Sequence, residues 1–411
     1  GVGLIACQWA KALGATVIGT VSTESKADLA RQHGCDHVII HGREDIRLED
    51  VPTPEPGPGE VRLRIAYVGV CGSDLHYYFN GANGAFVVEE PMAPGHEVSG
   101  VVDLDPSGKL ASGTPVTVHP ATFGEPIPGI EDKRHLFPGG SYLGSASTHP
   151  HTQGGMSEFL IVKDFMVRPL PAGMDLRVAA LAEPLGVALH GINVAGGVEG
   201  KSVVVSGSGP IGLLAAAAAV AKGAAEVVST DVLAGPLDRA RRLGARPVRV
   251  GGAGADGVDA SGGAGGEGTA GGAGTAGGAG GAGTAGGAGG AELPRGHFDV
   301  ALECSGIPTA VSATIEAVRP AGVHAQIGMM GAGPQPIALA TLIAKEIQLR
   351  GCFRFNTEID EAIELLAARP EIADVVVTHV FKGDSADSAV EAFTTAKDSD
   401  ASGKVLVDMR G

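Results

Sequence analysis

The stretch KSVVVSGSGPIGLLAAAAAVAKGAAEVVSTD, residues 201–231, decides the fold. Ser202 to Ser206 is an apolar, β-branched run of strand length, Pro210 to Lys222 is helical, and Glu226 to Asp231 is a second strand. Strand, helix and strand in this order start a doubly wound parallel sheet. The turn between the first strand and the helix reads Gly207-Ser208-Gly209-Pro210-Ile211-Gly212. Gly207 permits a tight turn, Gly209 lets a pyrophosphate approach the backbone, and Gly212 lets helix and strand pack closely. Pro210 and Ile211 open the helix, whose unpaired N–H groups face the phosphates. Asp231 ends the second strand 19 residues beyond Gly212, where a carboxylate accepts from the adenosine ribose and repels a 2′-phosphate. The expected coenzyme is NAD, in preference to NADP.

Working outward, His297 to Glu303 and Val323 to Gly328 supply later strands of the same sheet. From Thr357 to Gly411 helices alternate with strands, expected near Asp374 to Val380 and Gly403 to Asp408. Upstream, Glu60 to Val70, Val98 to Leu104 and Thr114 to His119 read as short strands between Pro/Gly turns, an irregular all-β region. Residues 1–39 read as helix, strand, helix and strand, half of a βαβ arrangement whose first strand is missing. Gly1-Val2-Gly3 lacks the first glycine of a fingerprint, and no second nucleotide site is expected there.

Composition bounds the function. Glycine makes up 66 of 411 residues, against about 7% in an average protein. Of the 40 residues from 251 to 290, 21 are glycine, which reads as a passive surface insertion: it buries little area and costs much backbone entropy. A formal charge of -16 disfavours a nucleic-acid or anionic-membrane partner. No apolar run reaches 18 residues and no signal peptide is read, so a cytoplasmic enzyme is expected. The five scattered cysteines do not suggest a disulfide framework.

A second constellation carries the chemistry. Cys71-Gly72-Ser73-Asp74-Leu75-His76 is expected to close a β segment, Gly95-His96-Glu97 follows, and Glu183-Pro184 comes later. Thiolate, imidazole and carboxylate together can hold a tetrahedral zinc with one position open. Each taken singly has an ordinary structural reading. Beside a nucleotide domain, the set reads as alcohol oxidation: a metal lowers the pKa of the hydroxyl, Ser73 and His76 move its proton, and the coenzyme takes the hydride.

On these residues residues 40–411 resemble the zinc-dependent medium-chain dehydrogenases, in the sorbitol and L-idonate dehydrogenase branch. CGSDLHYY at 71–78, GHEVSG at 95–100, AEPLGVALH at 182–190 and TLIAKEIQLRGCFRF at 341–355 carry the resemblance, and YLGSASTHPHTQGGMSEF at 142–159 adds to it. It implies an α/β chain with an all-β part: a GroES-like catalytic domain at 40–190, a Rossmann-like coenzyme domain at 191–345 and a tail at 346–411 that returns to the catalytic domain. It implies Cys71, His96, Glu183 and Glu97 at or beside one catalytic zinc, and Ser73 and His76 as a proton relay. Tyr77, Glu183 and Arg354 fall near the substrate, where an arginine suits a carboxylate or hydroxyls. The alternative for Arg354 is a structural ion pair with Glu183 or another acid. The reaction implied is oxidation of L-idonate at C5 to 5-keto-D-gluconate by a homodimer or homotetramer, with sorbitol or xylitol as alternative substrates. A non-catalytic protein retaining the fold is the contrasting class.

Three features depart from the family pattern. Residues 121–140 contain no cysteine, and His119, Glu125 and His135 do not form a convincing substitute, so no structural zinc is expected. The glycine block stands where the family has a short α/β connection. Residues 1–39, through GVGLIACQWAKALGATVIGTV, resemble part of a quinone-oxidoreductase coenzyme domain, read as a fusion remnant or a gene-boundary artefact with no activity of its own.

Overall fold

A computed structural model describes residues 2–13, 15–21, 24–40, 46–251, 291–331 and 333–410. Apart from Gly251, the glycine block lies outside these residues, as does Gly1. The first unit runs α1 (Val2–Ala12), β1 (Ile18–Val21), α2 (Glu24–Gln32) and β2 (His37–Ile40), with β1 and β2 paired in parallel. The order is the one read from the sequence.

The catalytic sheet starts at β3 (Glu60–Gly69), followed by helix α3 (Gly72–Asn80) and a small hairpin of β4 (Ala82–Asn83) and β5 (Phe86–Val87). It continues through β6 (Glu97–Leu104), β7 (Pro115–Val118), β8 (Phe159–Lys163) and β9 (Val167–Pro169). Strand β3 pairs antiparallel with both β6 and β8, and Val61, Leu63, Ile65 and Val68 project from it into a core shared with Val98, Val102, Val116 and Leu160. Cys71 does not close a β segment, as expected from sequence, but precedes α3. The Asp74 carboxylate accepts from the Cys71 N–H at 2.9 Å, which satisfies a donor at the start of the first turn, and Tyr77 and Leu75 give the short helix an inner face.

Short α4 (Leu176–Ala179) and α5 (Ala182–Val194) lead into the coenzyme sheet. That sheet contains β10 (Ser202–Ser206), α6 (Pro210–Ala221), β11 (Glu226–Asp231), α7 (Ala234–Arg242), β12 (Arg246–Arg249), β13 (Phe298–Glu303), α8 (Pro308–Ala317), β14 (Val318–Gln326), α9 (Leu339–Ala344) and β15 (Gln348–Gly351). Its six strands are all parallel, in the order β12-β11-β10-β13-β14-β15, and the order reverses between β10 and β13. The carboxyl ends at that switch point are where a doubly wound sheet offers a crevice. Leu213 to Ala219 of α6 are buried throughout, because this small-residue helix lies between the sheet and α5.

The tail forms α10 (Glu358–Ala368), α11 (Glu371–Val376), β16 (Val377–Lys382), α12 (Ala386–Lys397) and β17 (Lys404–Asp408). The strand expected near Asp374 starts only at Val377. Glu371 to Val376 is helical because Ile372, Ala373 and Val376 share a face packed into the coenzyme core, a 3–4 spacing hidden in a β-branched run. Strand β17 pairs antiparallel with β3, so the end of the chain is built into the catalytic sheet. Among the described residues no helix is long and apolar enough to cross a membrane.

His119, just after β7, touches the rings of Phe123 and Phe355 and bonds through Nε2 to the Asn356 carbonyl at 2.9 Å. Burial drives its pKa down to about 4. The unfolded chain, with an ordinary histidine near 6.5, therefore binds the extra proton first. The stability held above pH 6.5 is lost as the pH falls toward 4, by about 3 kcal/mol over that window. In chemical denaturation at pH 7 and pH 4.5, His119→Asn is expected to lose markedly less stability on acidification than the wild type. An equal loss in both proteins would refute the assignment.

Candidate active site

The site lies where β3, α3, β6 and β17 converge. Cys71 is placed by the end of β3 and the start of α3, and His96 and Glu97 by the entry to β6. The donor atoms of Cys71, His96 and Glu97 all lie within 4.8 Å of one another, with His96 and Glu97 buried. Register makes this possible: Glu97 pairs with Gly69, and a Cβ at residue 69 would stand 1.9 Å from Glu97 Oε2. The carboxylate thus occupies space that only glycine leaves. The Asp74 Oδ1 accepts from the Gly95 N–H at 3.1 Å, so one fully buried carboxylate ties the Cys71 loop to the His96 loop.

Glu97 Oε1 accepts from Lys404 Nζ at 2.6 Å, whereas Glu97 Oε2 is buried with no protein partner. An orphaned oxygen on a carboxylate clustered with a thiol and an imidazole is costly unless a cation completes it. The donor set of sulfur, nitrogen and oxygen suits zinc, and the residues fit a bound metal. Burial alone would lower the His96 pKa. The hydrogen-bonded Cys71 and the carboxylates of Asp74 and Glu183 outweigh burial and hold the imidazole well above its usual range. Burial pushes the Asp74 carboxyl up, partly offset by His96.

Of the other residues expected at the site, Glu183 and Arg354 both meet Tyr142, whose ring touches His96, while Ser73, His76 and Tyr77 lie on α3. Glu183 starts α5 and is not among the donors within 4.8 Å of one another; its Oε1 accepts from the Tyr142 hydroxyl at 2.6 Å. Burial pushes both of these groups up in pKa, Tyr142 far above its usual range. The Arg354 guanidinium lies 4.1 Å over the Tyr142 ring, and that ring meets His96 edge-on at 5.5 Å between centroids. Arg354 forms its described contacts with Tyr142 and Phe353 rather than an ion pair with Glu183. Its φ of 52° places a bulky residue in the left-handed region, a strain associated with functional positions. The buried Tyr77 hydroxyl accepts from the Ala146 N–H at 3.2 Å and lies 3.3 Å from Ser145 Oγ. Ser73 and His76 are half-buried, one turn apart on α3, and His76 Nδ1 lies 3.2 Å from Asn80 Nδ2.

At the coenzyme turn, Gly207 has φ +82°, and a Cβ on Gly212 would stand 1.8 Å from the Gly207 carbonyl oxygen. A Cβ on Gly209 would meet nothing within 4 Å. Two of the glycines are thus required by turn and packing, and one faces open space. Pro210 and Ile211 form the first turn of α6. Asp231 accepts from the Ser208 N–H at 2.8 Å and the Leu233 N–H at 2.9 Å, one bond to each oxygen. A carboxylate has about four acceptor positions, so two remain beyond these bonds.

The sequence reading missed Asp74, Tyr142 and Lys404. Asp74 had a signal in its position three residues after Cys71, a helix-start spacing. Lys404 had one as a lysine heading the apolar run Val405-Leu406-Val407. Tyr142 had none, since only the tertiary fold brings it beside Glu183. His119 and His135 lie apart from any metal-donor group: His119 bonds to Asn356, and His135 stands edge-on to His190.

Residues 57–172 match the alcohol dehydrogenase GroES-like domain, and residues 1–54 with 290–368 match the zinc-binding dehydrogenase domain. The chain is 36% identical over 306 residues to L-idonate 5-dehydrogenase (NAD(P)(+)) of Escherichia coli, covering 74% of this chain and 80% of that protein. It is 32% identical over 362 residues to sorbitol dehydrogenase of Bos taurus, covering 88% and 92%. The solved structure of the Escherichia coli L-idonate 5-dehydrogenase superposes with a TM-score of 0.70 at 32% identity, over 85% of this chain and 91% of that one. That of 2R,3R-butanediol dehydrogenase from Bacillus subtilis gives 0.71 at 25% identity, over 90% and 98%. The chain belongs to the zinc-dependent medium-chain dehydrogenases and is an NAD-linked oxidoreductase of their polyol and sugar-acid branch.

Proposed function

We propose that the chain oxidises L-idonate at C5 to 5-keto-D-gluconate, reversibly, with NAD as the preferred coenzyme. One observation carries the choice of a sugar acid: the Arg354 guanidinium stands beside the Cys71–His96–Glu97 cluster, on Tyr142, with no carboxylate partner among the described ion pairs. A planar donor fork there suits a substrate carboxylate. Sorbitol or xylitol is the second reading, favoured by the relative in Bos taurus.

Cys71, His96 and Glu97 are the proposed metal donors, with Glu183 beside them. When bound, zinc supplies Lewis acidity toward the substrate hydroxyl, and the nicotinamide ring supplies the hydride acceptor. The Ser73 hydroxyl takes the substrate proton and hands it to His76, whose half-buried ring opens toward solvent. Asn80 holds Nδ1 of that ring in hydrogen-bond reach. Tyr77 shapes the substrate wall by fixing residues 145–147.

The same reading divides the chain into a catalytic domain at 40–190, a coenzyme domain at 191–345 that carries the insertion 251–290, and a returning tail at 346–411. Residues 1–39 remain a partial unit without activity. A cytoplasmic homodimer or homotetramer with one zinc per chain is the proposed state.

A panel of L-idonate, sorbitol and xylitol, each with NAD and NADP, tests the substrate. Robust polyol turnover without L-idonate turnover reverses the ranking. For the coenzyme, Asp231→Ser is expected to move the NADP-to-NAD ratio of kcat/KM about tenfold toward NADP, because a charge repelling the 2′-phosphate is gone. NAD affinity also falls, since Ser208 and Leu233 lose their acceptor. An unchanged ratio would count against Asp231 as the ribose ligand.

A further inference from the structure

We propose that Arg239 of the coenzyme domain is a positioning residue for the metal site and acts through Lys404. This rests on the reading of Cys71, His96 and Glu97 as metal donors. Arg239 lies on α7, the helix that follows the Asp231 turn, and is 8% exposed. Its side chain is committed to the backbone of the loop before β17. Nη1 donates to the carbonyls of Asp400 at 3.2 Å and Ala401 at 3.4 Å. Nη2 donates to those of Ser399 at 3.0 Å, Asp400 at 3.2 Å and Ser402 at 2.8 Å. A guanidinium is the one side chain whose fixed fork can gather so many carbonyls at once.

The loop is fixed from other directions as well. The Gly235 N–H donates to Asp400 Oδ1 at 2.8 Å, and a Cβ on Gly235 would lie 2.1 Å from the Asp400 carbonyl oxygen. The Gly403 N–H donates to Thr378 Oγ1 at 2.9 Å. Two residues after Ser402 comes Lys404, 2% exposed, whose Nζ bonds Glu97 Oε1 at 2.6 Å and the Val70 carbonyl at 3.1 Å. Glu97 is itself one of the three clustered donors, and its other oxygen, Oε2, is buried with no partner among the described residues. One continuous run from 399 to 404 thus begins in the grip of the coenzyme domain and ends on a metal-facing carboxylate.

Arg239 makes no described ion pair, and its Nε is buried without a partner. The carboxylates of Asp400, Asp231 and Asp238 lie near enough to favour its charge, yet each described hydrogen bond of the guanidinium goes to a carbonyl of this one loop. What the arrangement supplies is placement: the height of the loop sets how far the Lys404 ammonium reaches, and therefore how Glu97 is aimed. Residues that orient a ligating group from behind characteristically change metal affinity by 10–100-fold when altered.

The test uses the full chain, stripped of metal and titrated with cobalt(II) against a chromophoric chelator, with the visible d–d bands recorded. Arg239→Lys keeps the charge and loses the fork, Arg239→Gln loses both, and Lys404→Met removes the proposed intermediary. Arg239→Gln is expected to shift the cobalt Kd about tenfold in the direction that Lys404→Met shifts it, and to alter the bands. Arg239→Lys falls between, and carries the test should the glutamine variant fail to fold. The double variant Arg239→Gln/Lys404→Met is expected to match Lys404→Met alone. A merely structural Arg239 gives either a wild-type Kd and spectrum or effects that add in the double variant, and each of these overturns the proposal. A wild-type chain that binds no cobalt fails earlier, at the reading of the metal site itself.

Discussion

Cys71→Ala is expected to yield a folded protein that binds no stoichiometric zinc and has lost about 10³-fold or more in kcat/KM, roughly 4 kcal/mol of transition-state stabilisation. The fold is expected to survive because the bond from the Cys71 N–H to Asp74 is kept, although the capping contact of its side chain with the Asp74 N–H is lost. The metal does not survive, since the thiol is one of three donors within 4.8 Å and the only sulfur among them. Metal content per chain, thermal melting and kcat/KM on the active substrate check the three parts separately. Full activity in a metal-free Cys71→Ala chain would end the zinc reading, while an unfolded one would mean that the thiol supports the fold.

Lys404→Met is the second large effect, and it falls on stability. Lys404 is 2% exposed and Glu97 is 0% exposed, so the variant strands a carboxylate in the protein interior. Removing one partner of a buried ion pair costs about 3–5 kcal/mol, much of it the uncompensated charge that remains. Burial would lower the Lys404 pKa, but Glu97 and Cys71 beside it hold the ammonium above its usual range. In a chain of this size the loss corresponds to a drop of about 4–6 °C in Tm. The metal-free double variant Lys404→Met/Glu97→Gln is expected to recover at least half of it, because no unpaired charge is then buried. A single variant as stable as the wild type would show that Glu97 protonates or finds solvent at little cost.

Much of the coenzyme half was legible because its signals are local. The spacing of Gly207, Gly209 and Gly212, the apolar run before it and Asp231 at the next strand end are properties of adjacent residues, and each landed within a residue or so of its expected place. The catalytic half was legible as a set of residue types but not as a geometry. Helix α3 was missed because nine residues with one inner face are too short for periodicity to speak, and the start of β16 was misplaced because β-branched Val375, Val376 and Val377 read alike in helix and strand.

By itself the sequence determined the fold class and the family, and it singled out the nucleotide turn and the set Cys71, His96, Glu97 and Glu183 from which metal donors would be drawn. It could do so because turns, strand periods and ligand chemistry are written in short stretches. Only the tertiary structure decided which groups complete the site. Lys404 reaches Glu97 across 307 residues of chain, Tyr142 holds Glu183, and Asp74 ties two loops together. The first of these pairings arises because β17 adds to β3 and builds the late part of the chain into the catalytic sheet. The need to neutralise a buried carboxylate is general physics, but the identity of its partner is fixed by which strand lies beside it.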